Sequence, residues 1–513
     1  MLFLAWRKRT LLFRILVERN RAASAAPMDW TRRLLAVLSG LLLHLAFPPA
    51  NWYVLGLCFA IPLFFALKGT QRREAFKLGW LFGFSLLVWE VRWANSFGWP
   101  SWLLLASAGA LYYGLCAFLL RLGPDENAKL WPVYAAVLWT LLEILRSAGV
   151  LGFPWALVGT TSWRIPCLIQ SARVIGVFGL SFLLLLVNGF LYTGMVRREP
   201  KSLVMAVLVL LVPTAAGLWD LQFQAPSQGR RVRVAIVQSS IPQDEKWQDD
   251  FKERNIETLE RLLKVAARGK PDLIFFPETA IAGYLPTEEP VGTRVRGWAA
   301  RYSIPLVFGA LGYDPKGDTN IAVVCTPQGK FLPPYVKVQL VPMGEYIPPW
   351  IRNSCLFVRQ KTRWGTVVGR KEQVTLDSGP AKLGVLICFE SLFPRLSQNL
   401  CRQDVELLAI LSNTAWAVGT NLHQHHMAAS LFRSLETGLP LLQAANTGAS
   451  FVADQKGRIL ALAPPEEEKV LFCEIPLVRG KAPYSMIHPY LFWALLMVFL
   501  MLLYGSRELR KAK

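Results

Sequence analysis

Charge is scarce in this sequence. Asp, Glu, Lys and Arg make up 18% of its 513 residues, below the roughly 25% of ordinary soluble domains. That scarcity argues against one large soluble protein, and the 53% hydrophobic content argues against disorder. Cysteine is sparse too: eight residues with no CxxC pair, which excludes a small disulfide scaffold. Of the five histidines, His423, His425 and His426 cluster, but no cysteine or carboxylate stands at zinc-like spacing beside them. They read as hydrogen-bonding groups at a helix start, and neither a metal nor a cofactor is expected. Acidic residues are outnumbered, 35 against 56 basic, so the formal charge is +21. Residues 226–481 carry 31 basic and 25 acidic residues, a net of 31 − 25 = +6, and the remainder 25 − 10 = +15. A surplus lodged in the apolar parts is a positive-inside signature rather than a nucleic-acid footprint, so no nucleic-acid partner is expected.

Long uncharged runs are what the sequence has in plenty, and about 20 apolar residues cross a hydrocarbon core. Residues 34–67 read as two short spans broken at Phe47-Pro48-Pro49-Ala50-Asn51-Trp52. Further spans are expected at 78–97 (with Glu90 and Arg92 near its end), 99–120, 131–148, 174–196, 202–219 and 482–506, about eight in all. With the N-terminus inside, 21 Lys and Arg fall in inner connections and four (Arg92, Arg146, Arg164, Arg173) in outer ones, which sets the orientation. The predicted organisation is a basic cytoplasmic arm over 1–33, a seven-helix membrane domain over 34–220 and an external soluble domain over 226–481. A closing transmembrane helix over 482–506 and a basic tail over 507–513 complete it. Arg7, Lys8, Arg9, Arg14, Arg19 and Arg21 interrupt any apolar core that would make the first 25 residues a signal peptide. Glu143 and Arg146, one helical turn apart inside the fifth span, read either as a mutually neutralising pair or as a contact for substrate or headgroup. Trp99, Trp155 and Trp163 fall near outer ends, where interfacial aromatics belong.

The insert alternates short apolar runs with amphipathic stretches. Strands are expected at 232–238, 272–276, 305–310, 321–325, 383–388, 407–412, 441–445 and 470–474, with helices at 249–267, 293–302, 394–402 and 423–437. Phe251, Ile256, Leu259, Leu262 and Leu263 share one face of the first helix. Strands interleaved with helices mean an α/β layer fold. Three strand ends carry polar residues that strands do not need: Glu278, Lys337 and Cys388. A carboxylate, an amine and a thiol held together can run acyl transfer. The carboxylate takes the thiol proton, the thiolate attacks a carbonyl, and the ammonium stabilises the oxyanion. Taken singly the signals are weak, because a buried cysteine is usually a small hydrophobe and a lysine can be a surface ion-pair partner.

The wording around these residues sharpens the reading. Pro277-Glu278, the run Lys337-Val-Gln-Leu-Val-Pro-Met-Gly-Glu-Tyr-Ile-Pro348, and Ile387-Cys388-Phe389-Glu390 resemble the nitrilase (carbon–nitrogen hydrolase) superfamily. More narrowly, nearly the whole chain resembles the apolipoprotein N-acyltransferase family. The resemblance runs through Ala46-Phe47-Pro48-Pro49, Glu143-Ile-Leu-Arg146, Gly152-Phe153-Pro154-Trp155 and Gly179-Leu180-Ser181-Phe182. It continues in Ser412-Asn413-Thr414-Ala415-Trp416, His423-Gln424-His425 and Ala445-Asn446-Thr447-Gly448. Ala417, Phe389 and Met343 depart from the family's usual Phe, Tyr and Phe.

The resemblance implies an αββα sandwich with Cys388 as nucleophile, Glu278 as base and Lys337 as oxyanion stabiliser. Glu345 and Glu390 are implied as supporting carboxylates, Phe389, Trp247 and Trp416 as supporting aromatics. It further implies an enzyme of the bacterial inner membrane with its catalytic domain on the periplasmic side. A membrane phospholipid would be the acyl donor and a diacylglyceryl apolipoprotein the acceptor, through a Cys thioester in ping-pong order. A membrane-tethered amidase with water as acceptor is the alternative enzyme, and a lipid- or lipoprotein-binding module without chemistry is the alternative outside enzymes.

Overall fold

The computed structural model describes residues 29–126, 128–223, 229–285, 287–347, 367–479 and 481–511. Most of the basic arm expected over 1–33 therefore lies outside the described residues. Helix α1 (Trp30–Ala46) already starts inside that arm, because the Asp29 side chain accepts the Thr31 N–H at 3.1 Å and caps the first turn. A turn at Phe47–Trp52 and a short 3-10 segment lead to α2 (Ala60–Leu67), so the break inside 34–67 falls where the two prolines stand. Helices α3 (Arg72–Glu90), α4 (Trp99–Leu120), α5 (Trp131–Arg146), the one-turn α6 (Pro166–Ile169), α7 (Ala172–Arg197) and α8 (Pro200–Phe223) follow. Helices α3 and α4 pack closely because Gly79 lets backbones approach; a Cβ there would clash with the Tyr113 carbonyl oxygen.

The third expected span is shifted. Helix α3 ends at Glu90 and gives way to a 3-10 turn over Arg92–Phe97. The Glu90 carbonyl takes the Trp155 indole N–H at 2.8 Å instead of continuing the ladder. Four described helices are long and apolar enough to cross a membrane: α4, α7, α8 and residues Tyr484–Ser506 of the last helix, α14 (Tyr484–Lys511 in full). Helix α1 spans 17 residues and α5 spans 16, short of the usual crossing length. Two of the expected interfacial tryptophans are core residues instead. Trp155 and Trp163 are buried, the latter donating to Asn51 Oδ1 at 2.9 Å, while Trp99 alone of the three is exposed. Glu143 and Arg146 take different partners rather than closing a pair. Glu143 Oε1 accepts the Val158 N–H at 2.9 Å, and Arg146 lies over the Tyr113 ring.

The insert is a four-layer α/β sandwich. Strands β1 (Arg231–Gln238), β2 (Leu273–Phe275), β3 (Ile281–Tyr284), β4 (Leu306–Asp314), β5 (Gly317–Cys325) and β6 (Tyr335–Val336) make the first sheet with β13 (Lys469–Pro476). Its order is β13-β1-β2-β4-β5-β6, with β3 beside β4. The second sheet is ordered β12-β11-β10-β9-β8-β7, from β7 (Leu376–Asp377), β8 (Lys382–Ile387), β9 (Leu407–Ser412), β10 (Leu441–Ala445), β11 (Ser450–Ala453) and β12 (Ile459–Ala463). Alternation along the strands divides the faces. Leu383, Val385 and Ile387 of β8, with Leu407, Ala409 and Leu411 of β9, meet Val234, Ile236, Phe275 and Val307 in the core between the sheets.

The first sheet's outer face carries helices over Asp249–Arg268 and Val291–Tyr302; Phe251 is only half-buried at the edge of the face expected for the first of them. After the one-turn helix α9 (Gln243–Lys246) these are α10 and α11. The second sheet's outer face, Leu386, Leu408 and Ile410, packs on helices α12 (Pro394–Cys401) and α13 (Leu422–Thr437). That apolar cluster is continuous with the membrane helices, so α12 and α13 form the junction. One kink shows how the two parts lock. Gly176 in α7 adopts φ +67°, where a Cβ would strike the Tyr484 ring, and the Val177 N–H it frees donates to Glu436 Oε1 of α13 at 2.9 Å.

Candidate active site

The strand ends bring the three chemical residues together. Glu278 follows β2, Lys337 follows β6, and Cys388 sits one residue beyond β8, which ends at Ile387 rather than at the cysteine. Cys388 has φ +50°, a left-handed conformation that costs a non-glycine residue about 1–2 kcal/mol. Its carbonyl is held in that posture by the Ser391 hydroxyl at 2.9 Å and His426 Nε2 at 3.0 Å. A carbonyl only accepts, so this contact places the His426 proton on Nε2. The Ser412 hydroxyl lies 3.6 Å from the Cys388 sulfur, and the next residue's Asn413 N–H donates to Glu278 Oε2 at 2.8 Å. The end of β9 thus ties thiol and carboxylate to one loop.

Charge is distributed with care in this pocket. The Lys337 ammonium is 2.9 Å from Glu345 Oε1 and 3.3 Å from Glu278 Oε1. Asn320 Nδ2 donates to the same two oxygens, at 3.0 Å and 2.8 Å respectively. Burial works against the Lys337 charge, but Glu345 and Glu278 outweigh it and hold the ammonium well above the usual lysine range. The surface of Cys388 is half-buried, yet enough protein surrounds the sulfur that burial, with Glu278 adding to it, pushes the thiol up to about 12. Such a thiol rests protonated, so attack requires a base at the moment of reaction. Glu278 is the carboxylate held by the same loop as the thiol's Ser412 neighbour.

The supporting residues divide. Fully buried Glu390 accepts four hydrogen bonds: Tyr335 Oη and the Ile387 N–H on one oxygen, the Val338 and Gln339 N–H groups on the other, at 2.7–3.0 Å. It therefore clamps the residues flanking Lys337 to Ile387, where β8 ends just before Cys388. Phe389 is buried, stacking on Phe153 at 6.4 Å and meeting Phe393 edge-on at 5.0 Å. Trp416 meets Trp93 at 5.5 Å and Phe97 at 5.4 Å. Trp155 meets Trp93 at 5.8 Å, so these rings form one cluster that joins segments between the apolar helices to the loops after β8 and β9. Trp247 is exposed, one residue after the short α9. Of the three histidines, His423 meets Thr414 Oγ1 at 2.7 Å near the start of α13, while His425 reaches into the membrane part. The described cysteines are all free; Cys355 lies outside the described residues.

The sequence alone does not single out Lys246, the residue before Trp247. Its ammonium is buried and donates to the Glu278 carbonyl at 3.1 Å. Burial, opposed by Glu278 and Cys388, lowers it to about 7. Asn320 was also missed, since nothing local distinguishes it. Asn446 had been legible only as part of a motif; it braces the site by accepting from the Ser239 hydroxyl and Ile241 N–H and donating to Asn413 Oδ1 at 3.1 Å.

Two known domains cover this architecture. Residues 233–482 match the carbon–nitrogen hydrolase family, which is the class the two-sheet domain and its site define. Residues 39–190 match the apolipoprotein N-acyltransferase N-terminal domain. An apolipoprotein N-acyltransferase of Geobacter metallireducens is 34% identical over 90% of this chain and 92% of its own length. One of Allorhizobium ampelinum is 31% identical over 87% and 90%. The chain belongs to the apolipoprotein N-acyltransferase family. Among solved structures, an amidase from Nesterenkonia sp. is 19% identical, covering 51% of this chain and 95% of its own, with a TM-score of 0.36.

Proposed function

We propose that the protein is an apolipoprotein N-acyltransferase that works through an acyl thioester on Cys388. The observation that carries this reading is the convergence of Glu278, Lys337 and Cys388 beside an aromatic cluster shared with segments of the apolar helices. In the first half-reaction Glu278 takes the Cys388 proton and the sulfur attacks an ester carbonyl of a membrane phospholipid. Lys337 neutralises the tetrahedral oxyanion, the carbon–oxygen bond breaks, and Glu278 returns the proton to the departing lysophospholipid alcohol. In the second, the α-amino group of an N-terminal S-diacylglyceryl cysteine attacks the thioester. An amide forms, the sulfur leaves, and the amine's proton passes by way of Glu278 back to Cys388. Both substrates are lipid-anchored, so a site beside the membrane removes most of the search. The family match over residues 39–190 favours this reading over a tethered amidase with water as acceptor.

The same reading takes the apolar segments as eight spans, with the arm 1–33, the membrane domain 34–220, the catalytic domain 226–481, the helix 482–506 and the tail 507–513. It places the catalytic domain on the periplasmic side of a bacterial inner membrane. Cysteine introduced at Asp314 or Gln328 should then label from outside intact spheroplasts; labelling only after the inner face is opened overturns the orientation. The chemistry is tested by intact-mass analysis of purified protein with phospholipid alone. An acyl group on Cys388, lost on adding a diacylglyceryl peptide that gains it on nitrogen, is the expected result. Transfer without any acyl-enzyme overturns the covalent route, as do intersecting rather than parallel double-reciprocal plots.

A further inference from the structure

Glu90 is a carboxylate with no exposed surface at the end of α3. Its Oε1 lies 2.6 Å from His44 Nδ1 on α1, and its Oε2 lies 2.8 Å from His425 Nε2 on α13. Three segments far apart in sequence meet on one side chain, and a carboxylate in apolar surroundings is costly without such partners. The rings are held as firmly as the charge. His425 stacks on Trp155 at 5.2 Å with Phe47 behind it, Trp155 donates its indole N–H to the Glu90 carbonyl, and His44 stacks on Trp89. The next residue after His425 is His426, which holds the carbonyl of the strained Cys388. Successive residues on a helix point about 100° apart. The first turn of α13 thus offers one imidazole to the membrane part and the next to the nucleophile.

We propose that Glu90, gripped between His44 and His425, is a positioning residue for Cys388: the membrane part fixes the first turn of α13 and, through His426, the backbone posture of the nucleophile. The proposal rests on reading Cys388 as the nucleophile. General fastening of the two parts is provided elsewhere as well. Lys456 Nζ donates to the Asp220 carbonyl near the end of α8 at 2.6 Å, and Gln170, just before α7, donates to the Lys456 carbonyl at 3.0 Å. A contact that only glued the parts together would be interchangeable with these.

The test uses the full-length protein in detergent micelles and compares Glu90→Gln, His425→Ala and their double variant with Lys456→Met. Alkylation of Cys388 by iodoacetamide, followed on its own peptide by mass spectrometry, needs no substrate. Acyl-Cys388 formation from phospholipid vesicles, with kcat and KM, reads the reaction. Glu90→Gln should slow both alkylation and acylation by about tenfold or more, a scale set by small misplacements of a reacting group, with KM for phospholipid unchanged within about twofold. The double variant should be no slower than the slower single one, since both break one chain of contacts. Lys456→Met should lower the melting temperature while leaving both rates per folded molecule intact. Wild-type alkylation and acylation in Glu90→Gln overturn the proposal, as does an equal loss in Lys456→Met. Should Glu90→Gln fail to fold, His44→Gln, which loosens one side of the carboxylate, carries the same expectation for alkylation. Slowed alkylation in Glu90→Gln, in a protein whose wild type forms no acyl-enzyme, leaves the positioning role standing and sinks the proposed function instead.

Discussion

The Lys337 ammonium lies nearer to Glu345, at 2.9 Å, than to the proposed base Glu278, at 3.3 Å. Glu345 thereby takes up part of a cation that would otherwise pair wholly with Glu278. Replacement of Glu345 by Gln should slow acyl-enzyme formation by about 10-fold or more, as the Lys337 ammonium moves onto Glu278 and away from the place an oxyanion would occupy. Stopped-time intact-mass measurements read the rate. A wild-type rate in this variant would assign Glu345 to loop structure alone, through the Val341 N–H it also accepts at 2.9 Å.

Removal of the proposed nucleophile gives the simplest expectation. Cys388→Ala should abolish acyl transfer while the protein still inserts and folds, because the side chain packs at the edge of the inter-sheet core without filling it. Cys388→Ser should also be inactive: a hydroxyl is a far weaker nucleophile in a site built around one proton-accepting carboxylate. Retention of more than trace transferase activity by the purified Ala variant removes Cys388 from the mechanism.

Strands of the inter-sheet core were legible because they are continuous apolar runs with turn residues at their ends. The segments 407–412 and 441–445 appear in the structure with the bounds expected. Short edge pieces such as β6 and β7 were not legible, since two residues carry no periodicity and their pairing depends on a distant neighbour. The three candidate residues stand out in the sequence as local motifs, but the atoms that join them come from elsewhere. Asn320 sits inside an ordinary strand, and its bridging role depends on Glu278 and Glu345, which fold against it from 42 and 25 residues away. The tryptophans failed for the opposite reason. Position near a span end suggests an interface, but Trp155 and Trp163 are buried by the catalytic domain and by the Asn51 turn.

Glu390 offers a test that separates geometry from charge. All four of its hydrogen bonds are received, so Glu390→Gln keeps shape but presents an amide N–H₂ to two donors. Each buried donor left without an acceptor costs about 1–3 kcal/mol. The loop 335–339 should loosen, displacing Lys337 and lowering the acylation rate by about 10²-fold, with hydrogen exchange faster at Val338 and Gln339. A slow variant with wild-type exchange in this loop would instead make the negative charge of Glu390 itself the active feature.

Lys246 ties the site to pH through a calculable sign. Its ammonium is lowered to about 7 in the folded protein, whereas an unfolded lysine titrates near about 10.4. Between these values the unfolded chain binds the additional proton, so stability rises with pH as Lys246 deprotonates in the folded state. The Cys388 thiol, raised to about 12, acts oppositely once pH exceeds about 8.5, where an unfolded cysteine ionises. The Lys246 contribution is therefore cleanest from about pH 7 to 8.5. Wild-type protein should gain thermal stability across that window, and Lys246→Met, which carries no titrating group, should flatten the rise. Unfolding of a membrane protein is commonly irreversible, so the comparison is the difference between the two melting profiles at one scan rate. An identical rise in both proteins would show that Lys246 is charged in the folded state throughout, and that its contact with the Glu278 carbonyl is an ammonium contact at every pH tested.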